Sequence, residues 1–244
     1  GLPKGEKGGL SWSPDGKWIA YLGDVSEDDP WGVRNTKLYV VPAEGGEPRC
    51  LSDQDDFCLG TATLSDVREG AGDGSPIWSP DSQALYQAVG WHGESQLAYI
   101  PLGEGRVHFL TEGQHVVSLG NLSRDGERMG VLMGSATRLG EAGVYDLSKH
   151  RSVPELWTDC NRKWHEEVAI IEPEEHWVES TDGAKVHVWV IKPAGYLEPK
   201  RYPAVLEIHG GPHTQYGWAL FHEFQLLAAE GVAVVYSNPR GSKG

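Results

Sequence analysis

A hairpin-like sequence occurs three times along the first two thirds of the chain, and this repeat limits the folds available to it. The clearest copies contain Trp-Ser-Pro-Asp and cover residues 10–21 and 77–86, while a weaker copy covers residues 122–132. In each copy a short strand leads into a tight turn, where Pro fixes φ, Asp bonds its own backbone and Gly tolerates positive φ. An alternating second strand follows the turn, which is typical of a β-hairpin.

A second hairpin pattern follows every copy, so the repeating unit is predicted to have four strands. These second patterns run over residues 38–51, 97–110 and 144–157. Four strands per unit is typical of a β-propeller blade, and the 44-residue step from Ser79 to Ser123 agrees with one. The first unit is longer and is predicted to carry extra loops at residues 24–36 and 53–75.

Residues 1–161 are therefore predicted to be the C-terminal blades of a β-propeller, about three four-stranded blades in number. Closing a propeller takes about four to eight blades, so we expect this segment to be part of a larger ring. The alternative is an irregular β-sandwich built from the same hairpins. We expect the tryptophans, of which the chain has ten, to pack between blades.

The pattern changes after the third unit and predicts the N-terminal part of an α/β domain. Residues 162–175 form a polar connecting segment, in which the apolar run 168–171 could form a connecting strand. Residues 176–244 contain an alternating hairpin, a buried strand at 204–208, a helix that stops at Gly231 and a second buried strand. Strand, helix and strand in this order predict a βαβ unit in a mostly parallel sheet.

Charge and cysteine content exclude several classes of function. The formal net charge is −14 and no basic cluster occurs, which argues against a nucleic-acid or anionic-membrane partner. Cys50, Cys58 and Cys160 are an odd, scattered set typical of free thiols, although Cys50 and Cys58 could meet across a loop. No run approaches the roughly 18 apolar residues of a membrane span. Zinc-protease, EF-hand and phosphate-loop motifs are absent, so we expect neither a metal nor a cofactor.

The most informative functional motif is His-Gly-Gly-Pro-His at residues 209–213, directly after the predicted buried strand. In α/β-hydrolases a backbone N–H of this loop helps to bind the negative charge that develops on a scissile carbonyl oxygen. Glycine suits the position because a Cβ would obstruct the approach of the substrate. His209 is predicted to anchor the loop rather than act as a general base. Glu207, inside the apolar strand, is expected to find a structural partner or to face a cavity.

These segments together resemble the prolyl oligopeptidase family of serine peptidases, and most closely its acylaminoacyl-peptidase branch. The resemblance covers essentially the whole chain and is most specific at residues 202–213 and in Asn-Pro-Arg-Gly-Ser at 238–242. It implies a propeller that admits only short peptides to an α/β-hydrolase domain with a Ser-Asp-His triad. It also implies that the Gly211 N–H forms half of an oxyanion hole, that Gly210 gives it room, and that Arg240 supports the active site.

No nucleophile, acid or base is predicted within the chain. It has no Gly-x-Ser-x-Gly elbow, Ser242 lacks the flanking glycine pattern of that elbow and follows the wrong strand, and the triad order would place all three members after Gly244. The chain is therefore predicted to be an inactive fragment of a serine peptidase that hydrolyses short or N-acylated peptides through an acyl-enzyme. The whole protein is expected in the cytoplasm with a short peptide as partner, and it could form a homo-oligomer. Because the chain begins with Gly, a targeting signal upstream stays open. The alternatives are an esterase or lipase, and a propeller interaction module with a vestigial hydrolase half.

Overall fold

A computed structural model describes residues 5, 7–24, 34–60, 63–67, 74–211 and 213–244 of the chain. Most of the first predicted long loop, parts of the second, and Pro212 of the His-Gly-Gly-Pro-His motif lie outside the described residues. The remaining chain forms three sheets and two short helices.

The first sheet is a four-stranded antiparallel meander in the order β1-β2-β3-β4. Its strands are β1 Lys7–Trp12, β2 Trp18–Gly23, β3 Lys37–Pro42 and β4 Arg49–Cys50. Both hairpins of the first predicted unit are therefore confirmed.

The second sheet has nine strands and contains two further meanders, β6 to β9 and β10 to β13. A single parallel bridge between Val116 and Ser95 joins the two meanders, and no feature of the repeat predicted it. None of the sheets in the described part of the chain closes on itself, and the number of blades stays a prediction. The strands are β5 Cys58–Leu59, β6 Ile77–Trp78, β7 Ala84–Trp91, β8 Glu94–Pro101, β9 His108–Phe109, β10 Val116–Leu122, β11 Arg128–Ser135, β12 Arg138–Asp146 and β13 Glu155–Leu156. We call β1 to β13, residues 7–156, the meander region.

Each meander begins with the same hydrogen-bonded turn. In the first, the Ser13 hydroxyl donates to Asp15 Oδ1 at 2.6 Å, and this carboxylate accepts the Lys17 N–H at 3.0 Å. The Ser13 oxygen also accepts the Trp18 N–H at 2.9 Å, so side chains close the turn as well as the backbone. The hydroxyl in each turn lowers the pKa of its aspartate. The equivalent residues are Ser79, Asp81, Gln83 and Ala84 in the second turn, and Ser123, Asp125, Glu127 and Arg128 in the third.

Apolar side chains fill the space between consecutive meanders. One core cluster joins the first meander to the second and includes Leu38, Leu85 and Trp78, which is 6% exposed. Another cluster joins the second meander to the third. The prediction that the repeated tryptophans pack between units holds for Trp78 but is wrong for its counterpart Trp12, which is 61% exposed. Trp78 packs on the preceding meander, where its Nε1–H donates to Ser11 O at 3.3 Å, whereas no meander precedes β1 within the described residues.

The third sheet has four strands in the order β14-β15-β17-β16. Only β16 and β17 are parallel, and α2 connects them, so the predicted strand–helix–strand unit is observed within a mixed sheet rather than a mostly parallel one. The apolar run 168–171 forms no strand, which corrects that prediction; helix α1 ends just before it. The elements are α1 Arg162–Glu167, β14 Glu174–Glu179, β15 Lys185–Ile191, β16 Ala204–Glu207, α2 His222–Ala229 and β17 Ala233–Asn238. We call residues 174–244 the mixed-sheet region.

The strand before the His-Gly-Gly motif is not buried on both faces, contrary to the prediction. Leu206 is 59% exposed and Ile208 is 73% exposed. Strand β16 lies at the edge of the sheet, and α2 packs chiefly on β17 and β15. The buried core of this region instead gathers Trp189, Phe224 and Tyr236 beneath α2.

Candidate active site

Two loops meet at the carboxyl ends of the parallel strands β16 and β17, where α/β folds place their ligand sites. The first loop follows β16 and carries the His-Gly-Gly motif, and the second follows β17. The Lys243 N–H donates to Thr214 O at 2.9 Å, and His213 Nδ1 lies 3.0 Å from Gly241 O. The two segments singled out by the family resemblance are thus adjacent in the structure.

His209 connects these two loops. Its Nε2 lies 2.9 Å from Ser242 Oγ, and the Ser242 hydroxyl donates its single proton to Pro239 O at 2.7 Å. The Nε2–H of His209 must therefore donate to Ser242, which is the opposite of base activation. His209 also contacts the ring of Tyr216 edge-on, with centroids 5.1 Å apart. His209 therefore contacts both loops, and its role as the anchor of the first loop stays a prediction.

The peptide unit between Gly210 and Gly211 is held by its carbonyl. The Thr214 hydroxyl donates to Gly210 O at 2.8 Å. In a trans peptide the N–H points away from the C=O, so the Gly211 N–H faces away from these groups. Within the described residues it donates to no acceptor, and both glycines are exposed.

The two glycines differ in what an added side chain would meet. Gly211 has φ +125°, and a Cβ there would lie 2.9 Å from His213 N and 3.1 Å from Thr214 Oγ1. A side chain at this position would therefore disturb the loop. A Cβ on Gly210 would meet no atom within 4 Å, so the absence of a side chain there leaves open room beside the free N–H.

Arg240 points to the hairpin of the mixed sheet. Its guanidinium forms an ion pair with Asp182 in the turn between β14 and β15, and this contact is the main cause that lowers the pKa of Asp182. Both side chains are largely exposed, so the pair contributes little stability by itself. Arg240 thereby ties the second loop to the hairpin, and its supporting role at an active site stays a prediction.

The first loop continues into a segment that is built against the meander region. Gln215 is fully buried there, and the backbone of Gly217 touches that of Gly93 in the turn between β7 and β8. Asp66 accepts the first N–H groups of α2, from His222 at 2.6 Å and Glu223 at 2.8 Å. No local sequence pattern marks these residues, because their contacts join positions more than 100 residues apart.

An aromatic and imidazole cluster lies beside this junction. The His187 ring stacks on Trp177 with centroids 4.1 Å apart, and His92 of the meander region meets Trp177 edge-on at 5.1 Å. Burial lowers the pKa of His187, while the Glu175 carboxylate, 2.7 Å from Nε2, acts in the opposite direction. Burial likewise lowers the pKa of His92. Near neutral pH this part of the junction therefore holds neutral imidazoles.

A cavity of about 710 Å³ lies between the three meanders and reaches the first loop at Ala219. Its wall mixes apolar and polar side chains, including those of Trp12, Gln87, Ser118 and Asn121. In the described part of the chain no group of three or more His, Cys, Asp or Glu side chains could hold a metal ion. Cys50, Cys58 and Cys160 form no disulfide in the described part of the chain, and neither described helix has the length and apolar content to span a bilayer.

Curated relatives of this chain are named as peptidases. The chain is 35% identical over 209 residues to the uncharacterized peptidase YuxL of Bacillus subtilis, with 86% of this chain and 31% of YuxL covered. It is 25% identical over 236 residues to dipeptidyl-peptidase 5 of Porphyromonas gingivalis, with 96% and 31% covered. No protein-family model matches the chain. The chain spans about a third of the length of these relatives.

A solved structure of similar fold is also a peptidase. The acylaminoacyl peptidase of Pyrococcus horikoshii superimposes with a TM-score of 0.71 at 25% identity, with 94% of this chain and 32% of that one covered. The fold of this chain is therefore similar to about a third of a solved peptidase structure. The chain belongs to the prolyl oligopeptidase family, and within it is similar to the acylaminoacyl peptidases. The family predicted from the sequence motifs is therefore confirmed.

Proposed function

We propose that this chain is a part of a serine peptidase and supplies one donor of its oxyanion hole, the N–H of Gly211. The observation that carries the proposal is the pinned peptide unit, in which Thr214 holds the Gly210 carbonyl and leaves the Gly211 N–H directed outward. An oxyanion donor has to be fixed in this way before the substrate arrives, because its benefit lies in needing no reorganisation during the reaction.

The proposed chemistry is acyl transfer through an acyl-enzyme. A serine outside this chain attacks the scissile carbonyl carbon, and its proton passes to a histidine and then to the leaving amine. The carbonyl oxygen gains negative charge at this stage and accepts a hydrogen bond from Gly211. One such donor stabilises the transition state by about 3 kcal/mol. Water then hydrolyses the acyl-enzyme by the same steps.

The proposed substrate is a short or N-acylated peptide. The names of the relatives, dipeptidyl-peptidase and acylaminoacyl peptidase, support action near a peptide terminus. The cavity between the meanders supports a small substrate, since its volume is in the range that accommodates small ligands. The division into propeller blades over 1–161, a connector over 162–175 and a hydrolase portion over 176–244 belongs to the same proposal, as does a cytoplasmic location.

Activity-based labelling of the full-length protein tests the proposal. We expect a fluorophosphonate probe to label one serine outside residues 1–244, and we expect hydrolysis of an acyl-peptide nitroanilide to exceed that of a short acyl ester. Preference for the ester would instead indicate an esterase. Absence of labelling together with peptide binding would indicate an interaction module, and either result would reject the proposed function.

A pair of glycine variants tests the role of Gly211. Gly211→Ala should lower kcat about 10²-fold to 10³-fold, because the positive φ is lost and the N–H turns away. Gly195→Ala is the matched control, since Gly195 also has positive φ (+67°) but a Cβ there would meet no atom within 4 Å. Equal kcat values for the two variants would show that Gly211 has only a conformational role.

A further inference from the structure

Gln215 lies in the loop after β16 and forms several hydrogen bonds to the meander region. Its side chain is fully buried, its amide nitrogen donates to Thr63 Oγ1 at 2.9 Å and to Glu94 O at 3.1 Å, and its amide oxygen accepts the Gly93 N–H at 3.2 Å. All three partners belong to the meander region. The Thr63 hydroxyl in turn donates to Gly93 O at 3.2 Å, which fixes the same turn.

The backbone around Gln215 is fixed at the same place. Leu64 N–H donates to Gln215 O at 2.8 Å, and Trp218 N–H donates to Gly93 O at 2.9 Å. Unpaired buried amides cost about 1–3 kcal/mol each, so this fully bonded side chain has one strongly favoured position.

Gln215 is separated from the candidate oxyanion donor by a short, hydrogen-bonded path. Its neighbour Thr214 holds the Gly210 carbonyl through its hydroxyl and accepts the Lys243 N–H with its own carbonyl. A displacement of Gln215 therefore moves Thr214, and with it the peptide unit whose N–H belongs to Gly211.

We propose that Gln215 is a positioning residue that sets the direction of the Gly211 N–H by anchoring the loop on Thr63 and the turn at Gly93. The inference rests on the proposed function. It assigns to the meander region a direct part in arranging the catalytic loop, because the anchor lies entirely on that region.

Variants of the full-length protein test this anchor by kinetics. Gln215→Ala should lower kcat about 10-fold to 100-fold with KM changed less than about twofold, because a donor displaced by about 1 Å stabilises the transition state less. Gln225→Ala is the matched control: Gln225 is also buried and forms two hydrogen bonds, both to the backbone of Ile171 and neither to the meander region. It should lower the melting temperature similarly and leave kcat unchanged.

The partner residue gives a second, conservative test. Thr63→Val removes the acceptor for the Gln215 amide and should lower kcat in the same direction, whereas Thr63→Ser keeps the hydroxyl and should restore it. Hydrogen exchange provides a readout independent of activity: Gln215→Ala and Thr63→Val should speed amide exchange in residues 208–214, and Gln225→Ala and Thr63→Ser should not.

The outcomes separate this inference from the proposed function. An active wild type with unchanged kcat and unchanged exchange in Gln215→Ala would overturn the anchor and leave the peptidase proposal intact. A wild type without peptidase activity would overturn the proposed function, and exchange in residues 208–214 would still decide the anchor. Equal effects of Gln215→Ala and Gln225→Ala on kcat would reduce Gln215 to a general stability role and overturn the inference.

Discussion

The meander region and the mixed-sheet region are stabilised in different ways. In the meander region, one turn recurs three times with nearly identical hydrogen bonds, all formed between residues at most five positions apart. In the mixed-sheet region, the candidate oxyanion loop depends on contacts with Thr63 and Gly93, more than 100 residues earlier in the chain. Local sequence thus encodes the scaffold, whereas distant contacts arrange the site.

This difference indicates that one region carries the candidate oxyanion donor and the other holds it in position. A loop that carries an oxyanion donor has to keep its N–H free, so its own backbone cannot form a regular hydrogen-bonded element there. The rigidity has to come from outside the loop. The meander region can supply it because its turns are already fixed by their own side chains.

The most severe test of this comparison is a substitution at the backbone contact between the two regions. A Cβ on Gly217 would lie 1.9 Å from Gly93 O and 2.3 Å from Gly93 Cα, and backbone atoms cannot rotate away as a side chain can. Gly217→Ala should therefore cost more than about 3 kcal/mol in the free energy of unfolding. Chemical denaturation of the full-length protein measures this cost.

Gly103→Ala provides the matched control for that substitution. Gly103 lies in the turn after β8, and a Cβ there would meet no atom within 4 Å. Its replacement should change stability by less than about 0.5 kcal/mol. If the two variants unfolded alike, the close contact between the regions would be refuted.

The same contrast explains what the sequence could and could not predict. The three turns were predictable because Pro, Asp and Gly act within a few residues, and the helix ending near Gly231 was predictable from the spacing of Phe224 and Leu227. The exposure of Leu206 could not be predicted from the sequence, because its burial depends on which strand lies beside β16. Gln215 was missed for a related reason: a polar residue in a loop carries no local sign of distant partners.

Ser82 illustrates the limit within the repeat itself. It occupies the position of Gly16 and Gly126 at φ +60°, and the turn tolerates it. Its hydroxyl oxygen accepts the Asp15 N–H at 3.1 Å and so joins the second turn to the first. Alignment of the three copies reveals the substitution but not the partner that makes use of it.

Two buried histidines sharpen the comparison through their pH dependence. Burial lowers the pKa of His115 in the meander region to about 4, and its Nε2 has no hydrogen-bond partner among the described residues. The unfolded chain binds a proton at about pH 6.5, so stability present above that pH is lost as pH falls towards 4, by up to about 3 kcal/mol. His187 in the mixed-sheet region is also buried, but Glu175 stabilises its charged form and should make the loss smaller.

Unfolding free energies between pH 7 and pH 4 measure the difference between these histidines. His115→Leu should markedly reduce the change in unfolding free energy between pH 7 and pH 4, and His187→Gln should reduce that change less. If His187→Gln flattened the pH dependence more than His115→Leu, the Glu175 carboxylate would not offset the effect of burial on the charged form of His187.

The smallest expected effect compares two equivalent glycines of the repeat and asks whether the turns act alone or together. Gly16 and Gly126 have almost the same φ, +73° and +75°, so replacement by Ala should cost each turn about 1 kcal/mol of backbone strain. A Cβ on Gly16 would meet nothing within 4 Å, but a Cβ on Gly126 would lie 2.5 Å from Cγ of Pro80 in the preceding turn. Gly126→Ala should therefore cost about 1 kcal/mol more than Gly16→Ala, and Pro80→Ala should remove most of that excess because it deletes the atom in the way. If the excess persisted in the Gly126→Ala, Pro80→Ala double variant, the contact with Pro80 would not be its cause, and the second and third turns would act independently at this point.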